Sequence, residues 1–196
     1  MGTFVPTINH ENSIFSNSPS PGGRGLGGRG RVNALNYFTR SVKRLLPTPT
    51  KFTLAAGSSE GISPLNAFDQ ALLAAGAGNV NLIRVSSILP PNTEFTPQII
   101  LPPGALVPVA YGKLTSNVPG TKIAAAVAVG IPREGFGVIM EYSGYTSGEE
   151  AEKIILGMVE EAFYNRKLKI NRYLVKSVEH CVVKIGAVFA GIILWY

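Results

Sequence analysis

The sequence predicts an α+β fold built in layers, and three observations carry that reading. The predicted elements run strand, helix, strand, several strands, helix, two strands, an order that does not repeat a βαβ unit. Of the 196 residues 45% are hydrophobic and only 15% charged, the balance of a folded chain. That length is enough for one domain with a sizeable core, or for a core with a tail.

The first 50 residues read as an extension. Ser16 to Arg31, SNSPSPGGRGLGGRGR, is low in complexity and buries too little to offset its ordering entropy. The reading favoured is a dispensable extension, disordered, or translated upstream sequence; the alternatives are a basic nucleic-acid-binding arm or an Arg-rich transit peptide. Residues 34–46 have the pattern of a short basic amphipathic helix, closed off by Pro47 and Pro49.

From Lys51 the pattern becomes regular, so the domain is placed at 51–196. Lys51 to Ala56 reads as a strand and Gly57-Ser58-Ser59-Glu60-Gly61 as a turn. Ser63-Pro64 is an N-cap followed by proline at the first helical position, which starts a helix running to about Ala75 with Gly76 ending it. Its apolar face is marked by Leu65, Phe68, Leu72 and Leu73. Val80 to Val85 is rich in β-branched and aliphatic residues and reads as a strand. Pro90, Pro91, Pro97, Pro102 and Pro103 mark a long loop, which in a compact domain is usually functional. Strands follow at 105–116, 122–131 and 136–143. Ser147 and Glu150 form a Ser-x-x-Glu capping box for a second helix to about Asn165. Strands at 171–180 and 183–195 finish the chain.

Charge and cysteine content narrow the function classes. The net charge is +6, but residues 1–50 hold six basic residues and one acidic, so the folded part is almost neutral. It has no basic stripe of the kind nucleic-acid binding needs. The longest uncharged C-terminal stretch, Ile185 to Tyr196, is too short for a spanning helix, which takes about 20 residues. No charged-then-apolar signal peptide opens the chain. Cys181 is the only cysteine, which fits a reducing compartment; the expected location is the cytoplasm, with no membrane partner.

Few residues stand out as candidates for chemistry. Ser86-Ser87 ends the strand-like run Asn79 to Val85 and precedes Pro90-Pro91. Read plainly it is a strand ending in polar residues. A serine can also make a reactive group from the backbone: its hydroxyl attacks the preceding carbonyl, the peptide becomes an ester, and β-elimination with loss of ammonia leaves an N-terminal pyruvoyl group. Asp69 lies on the apolar face of the first helix or at its border. It is either in an ion pair, at an exposed stripe edge, or a receptor for an ammonium or guanidinium. Glu141 interrupts the apolar strand Gly137 to Tyr142. It is either solvent-facing or buried, and burial would raise its pKa and suit it to donate a proton near neutral pH. Glu179-His180-Cys181 is not a metal site, because adjacent strand residues point to opposite faces and no other ligands have metal spacing. Gly22 to Gly30 is not a phosphate loop: no strand precedes it and no Lys-Ser/Thr follows.

Several runs taken in series resemble the pyruvoyl-dependent arginine decarboxylase family: Ala55 to Gly61, Pro64 to Asp69, Gly78 to Pro91, Gly104 to Pro108, Ile139 to Tyr142, and Glu179-His180. The resemblance covers about 51–196; residues 1–50 match nothing in the family. It implies self-cleavage between Ser86 and Ser87, giving a β chain that ends at Ser86 and an α chain opened by a pyruvoyl group at Ser87. It implies a four-layer α/β/β/α sandwich, assembled as a trimer of αβ units with active sites between subunits. By motif position, Asn81 and Ser86 would support cleavage or substrate placement, and Glu141 would protonate the decarboxylated carbon. Asp69, with the backbone near Leu65, Gly78 and Val80, would hold the guanidinium.

The implied reaction turns arginine into agmatine and CO2 through a Schiff base on the pyruvoyl ketone, without PLP or metal. Polyamine biosynthesis and acid resistance are both compatible roles. The rivals are a pyruvoyl decarboxylase for another cationic amino acid, such as lysine or ornithine, and a non-catalytic scaffold or binding protein of the same fold.

Overall fold

The computed structural model of the protein describes residues 47–196. The expected extension, with its helix over 34–46 and His10, lies outside the described residues, apart from its last four positions. The elements in chain order are β1 (Lys51–Glu60), α1 (Pro64–Ala74), β2 (Asn81–Arg84), β3 (Ile88–Leu89), β4 (Glu94–Phe95), β5 (Leu106–Ser116), β6 (Lys122–Ile131), β7 (Gly137–Gly144), α2 (Gly148–Asn165), β8 (Arg172–Cys181) and β9 (Gly186–Trp195).

Two sheets form, a five-stranded one in the order β2-β5-β9-β1-β4 and a four-stranded one in the order β3-β7-β6-β8. The alternation of side chains along the strands decides how they stack. On β6, Ile123, Ala125, Val127 and Val129 turn toward the five-stranded sheet, where Phe52, Val188, Ile192 and Leu194 meet them. The other face of β6, Ala124, Ala126 and Ala128, lies under Ile155, Val159 and Phe163 of α2. Strand β9 is likewise buried on both faces, with Ala187, Phe189 and Ile193 packed beneath Ala67 and Ala71 of α1. The result is helix, sheet, sheet, helix: the four-layer sandwich expected. Burying each Phe or Ile of these layers contributes about 1.5–3 kcal/mol.

Both helices are closed by their own sequence. Ser63 Oγ accepts from the Asn66 amide at 3.2 Å, and Pro64 stands where no N–H is needed. At the other end Gly76 takes φ +76°, Ala77 N–H donates to the Leu72 carbonyl and Gly76 N–H to that of Leu73, a Schellman closure. Ser147 caps α2 by accepting from the Glu150 amide at 3.2 Å. No helix among the described residues is long and apolar enough to cross a membrane.

Three expectations differ from the structure. Gly57 to Glu60 is not a turn but the second half of β1, paired with β9 out to Glu60–Gly186. Glycine is needed there for another reason: a Cβ at Gly57 would run into the Ala71 carbonyl and Ala75 N of α1. Leu65 and Leu73 do not face the core; α1 buries Ala67 and Ala71, with Phe68, Leu72 and Ala75 beside them, and leaves Leu65 76% exposed. Two short strands were not expected, β3 just before Pro90 and β4 within the proline-marked loop, and they join opposite sheets.

Candidate active site

Ser86-Ser87 lies where the chain leaves one sheet for the other. Strand β2 pairs with β5 at the edge of the five-stranded sheet, and Val85 N–H still donates to the Val109 carbonyl at 3.1 Å. Three residues later, from Ile88, β3 pairs with β7 at the edge of the four-stranded sheet. The Ser87 carbonyl accepts from Ile139 N–H at 2.8 Å, which fixes the far side of the crossing. Ser86 is exposed and Ser87 half-buried.

Glu141 follows Ile139 on the same face of β7, about 7 Å along the strand. That face is the inter-sheet one, since Ile139 belongs to the core between the sheets. Glu141 is therefore neither solvent-facing nor sealed in; its side chain is 22% exposed, at the rim of the inter-sheet layer. The sheets come close here because residue 112 is glycine: a Cβ there would lie 2.6 Å from the Tyr142 carbonyl oxygen. Ser143 Oγ donates to the Lys113 carbonyl at 2.9 Å across the same gap. A residue missed by sequence reading joins the group. Arg84, at the end of β2, brings Nη2 to 3.5 Å from Glu141 Oε1 and donates to the Tyr111 carbonyl at 3.3 Å. Its guanidinium carbon stands 5.0 Å from the centroid of the Tyr111 ring. Arg84 gave no signal because a cation in a half-exposed edge strand is ordinary.

The remaining predicted residues form a second group. Asp69 is exposed on α1, between Leu65 and Leu73 in the same stripe, and no ion pair reaches it among the described residues. Gly78 passes so close to α1 that a Cβ would meet Leu73 Cγ at 2.6 Å. Val80 packs on the α1 side of the five-stranded sheet, and Asn81 Nδ2 donates to the Gly104 carbonyl at 2.9 Å. Asn81 stands at the start of β2, and strand rise puts it roughly 16 Å from Ser86. One chain thus places Ser86, Ser87 and Glu141 around the same crossing, Glu141 two positions along β7 from the Ile139 that holds Ser87, and sets Asp69, Leu65, Gly78, Val80 and Asn81 along α1 and the start of β2.

The Glu179-His180-Cys181 run serves the scaffold. Glu179 accepts from the Gly148 amide at the start of α2 at 2.8 Å; that bond first, then Lys122, holds its carboxyl below the usual range. His180 Nε2 lies 2.6 Å from Glu60 Oε1. Among the described residues no three His, Cys, Asp or Glu side chains gather at metal-binding spacing. Glu60 also accepts from the amides of Val183, Lys184 and Ile185, each at 2.9 Å, and so pins the β8–β9 turn. The Val183 amide foremost, with His180 and the other two amides, outweighs burial and lowers the Glu60 pKa from 4.5 to about 2. A depressed carboxylate pKa stabilises the fold above about 4.5, and that contribution fades as pH falls toward about 2. Glu60→Gln should therefore lose about 1–3 kcal/mol at pH 7 by urea unfolding, with the gap to the parent narrowing below pH 4.5. Equal midpoints at pH 7 would show that the turn holds without this clamp.

The family model of pyruvoyl-dependent arginine decarboxylases matches residues 51–191. A pyruvoyl-dependent arginine decarboxylase of Methanocaldococcus jannaschii is 53% identical over 150 residues, covering 76% of this chain and 91% of that protein. Relatives of the same name from Methanococcus maripaludis and Thermococcus sibiricus are 40% and 43% identical, each covered over 98% of its length. All of the candidate site residues lie within the matched span, and the chain belongs to the pyruvoyl-dependent arginine decarboxylase family.

Proposed function

We propose that the chain decarboxylates L-arginine to agmatine and CO2 with a pyruvoyl group made from its own Ser87. The observation that carries this reading is the placement of the Ser86–Ser87 bond at the exposed crossing between sheets, with Glu141 beside it. Residue 87 suits a keto group: its carbonyl is held by Ile139 N–H, and exposed Ser86 has room to separate.

In the processing step Ser87 Oγ adds to the Ser86 carbonyl carbon and the peptide bond opens to an ester. Elimination across Cα and Cβ of residue 87 releases the Ser86 carboxylate, and water displaces the nitrogen as ammonia. The ketone so formed supplies a site that condenses with the substrate amine and draws in the electrons left as CO2 departs. Every other task falls to the chain. Glu141 delivers one proton to the carbon that lost CO2. Asp69, with the backbone near Leu65, Gly78 and Val80, receives the guanidinium, for which a carboxylate is the natural partner. Asn81 and Ser86 support cleavage or substrate placement. The reaction uses neither PLP nor a metal, and its setting is the cytoplasm.

The two groups of residues face the same substrate when the Asp69 group comes from a neighbouring copy, so the working form is an oligomer, a trimer of cut chains. The exposed Leu65-Asp69-Leu73 stripe, with apolar side chains that a lone chain leaves in water, supports that arrangement. Purified protein should give two masses that split the sequence between Ser86 and Ser87, and should release agmatine from arginine faster than it turns over lysine or ornithine. An intact, soluble chain that yields no agmatine would favour a binding protein of this fold and sink the proposal. Faster release of CO2 from lysine or ornithine would replace the substrate alone.

A further inference from the structure

We infer that Arg84 is a positioning residue for Glu141, one that acts across the cut. This rests on the proposed roles of Ser86–Ser87 as the cleaved bond and of Glu141 as proton donor. Arg84 lies two residues before Ser86, so it stays with the N-terminal fragment. Its guanidinium contacts among the described residues lie beyond Ser87: Glu141 Oε1 at 3.5 Å, the Tyr111 carbonyl at 3.3 Å and the Tyr111 ring at 5.0 Å. Cleavage removes the covalent tie between β2 and β3, and with it the tie between the two sheet edges at this point. The guanidinium still bridges them, because it is stacked on one strand of the five-stranded sheet and paired with a carboxylate of the four-stranded one.

The chemistry of the pair favours positioning over stability. The Arg84 side chain is 59% exposed, and an ion pair so open to water adds little to folding. What it does fix is direction. A planar guanidinium held by a ring face and a carbonyl offers its remaining N–H groups along set lines, which an ammonium does not. Glu141 stands on β7 with only the rim of the layer around it, and among the described residues the one side-chain partner that can choose among its rotamers is Arg84. A proton donor that swings by an ångström loses much of its rate.

The test compares Arg84→Met, Arg84→Lys, Glu141→Gln and the Arg84→Met/Glu141→Gln double variant, each as the full chain. Turnover is divided by the amount of cut, keto-bearing fragment measured by mass. Arg84→Met should be cut as the parent is, keep KM for arginine within about threefold, and lose kcat per processed site by about 10- to 100-fold. Arg84→Lys should recover part of that loss. The double variant should be no slower than Glu141→Gln alone, because the two residues act as a unit. A normal kcat in Arg84→Met beside a slow Glu141→Gln overturns the inference and leaves the role of Glu141 standing. Independent, multiplying losses overturn it as well. Failure of Arg84→Met to be cut would place Arg84 in processing and overturn it too. Normal turnover in Glu141→Gln instead removes the reading on which the inference rests.

Discussion

Ser87→Ala protein should stay a single 196-residue chain and release no agmatine from arginine. The substitution deletes the one atom that can open the Ser86–Ser87 bond in the proposed route, so neither the ester nor the ketone can form. The expected loss is the whole catalysed rate, at least about a million-fold. The fold should survive, because the recorded bond at this residue is the backbone one from Ile139 N–H to the Ser87 carbonyl, which alanine keeps. Thermal unfolding of the variant should therefore resemble that of the uncut parent. A Ser87→Ala chain that still turned over arginine would remove Ser87 as the source of the reactive group.

Glu141→Gln should separate processing from turnover. Glutamine keeps the shape and one oxygen that Arg84 Nη2 can meet, so the crossing and the cut should be preserved. It has no acidic proton, and general acid catalysis typically contributes about 10²- to 10⁴-fold. Decarboxylation per keto-bearing fragment should fall by about that factor while the two-fragment mass pattern remains. Unchanged turnover would strike Glu141 from the mechanism, and an uncut variant would move it to the processing step.

Much of this was legible in the chain. Helix ends were readable because caps are local: Ser63-Pro64, Gly76 and the Ser147-Glu150 box each act within a few residues. The long strands β5 to β9 were readable from runs of β-branched and apolar residues. The misreadings have a common cause, dependence on residues far away in sequence. Gly57 to Glu60 has turn composition, but Gly57 is there to admit α1, and the run's pairing partner is 126 to 132 positions on, at Gly186 to Phe189. Leu65 and Leu73 look like core by spacing, yet alanines make the true contact because the helix lies so close to the sheet. Strands of two residues carry no periodicity, so β3 and β4 read as loop. Within the site, Glu141 stood out by interrupting an apolar strand and Ser86-Ser87 by ending one, whereas Asp69 stood out only against the Leu65–Leu73 face, which the structure leaves exposed. Arg84 broke none, and its partners, Tyr111 on β5 and Glu141 on β7, meet it only in space.

The strand order of the five-stranded sheet has a consequence for the life history of the molecule. The stretch before the proposed cut supplies β1 and β2, and the stretch after it supplies β5, β9 and β4, in the order β2-β5-β9-β1-β4. The two pieces are interleaved: β1 is gripped between β9 and β4, and β2 lies outside β5. An unbroken chain finds these pairings as an intramolecular search, whose loop-closure cost grows only slowly with length. Severed pieces would have to meet in solution first and then thread one strand between two others. The proposed cut would thus make maturation a one-way sequence, assembly before scission, and leave a protein woven in a form that its parts are poorly placed to rebuild.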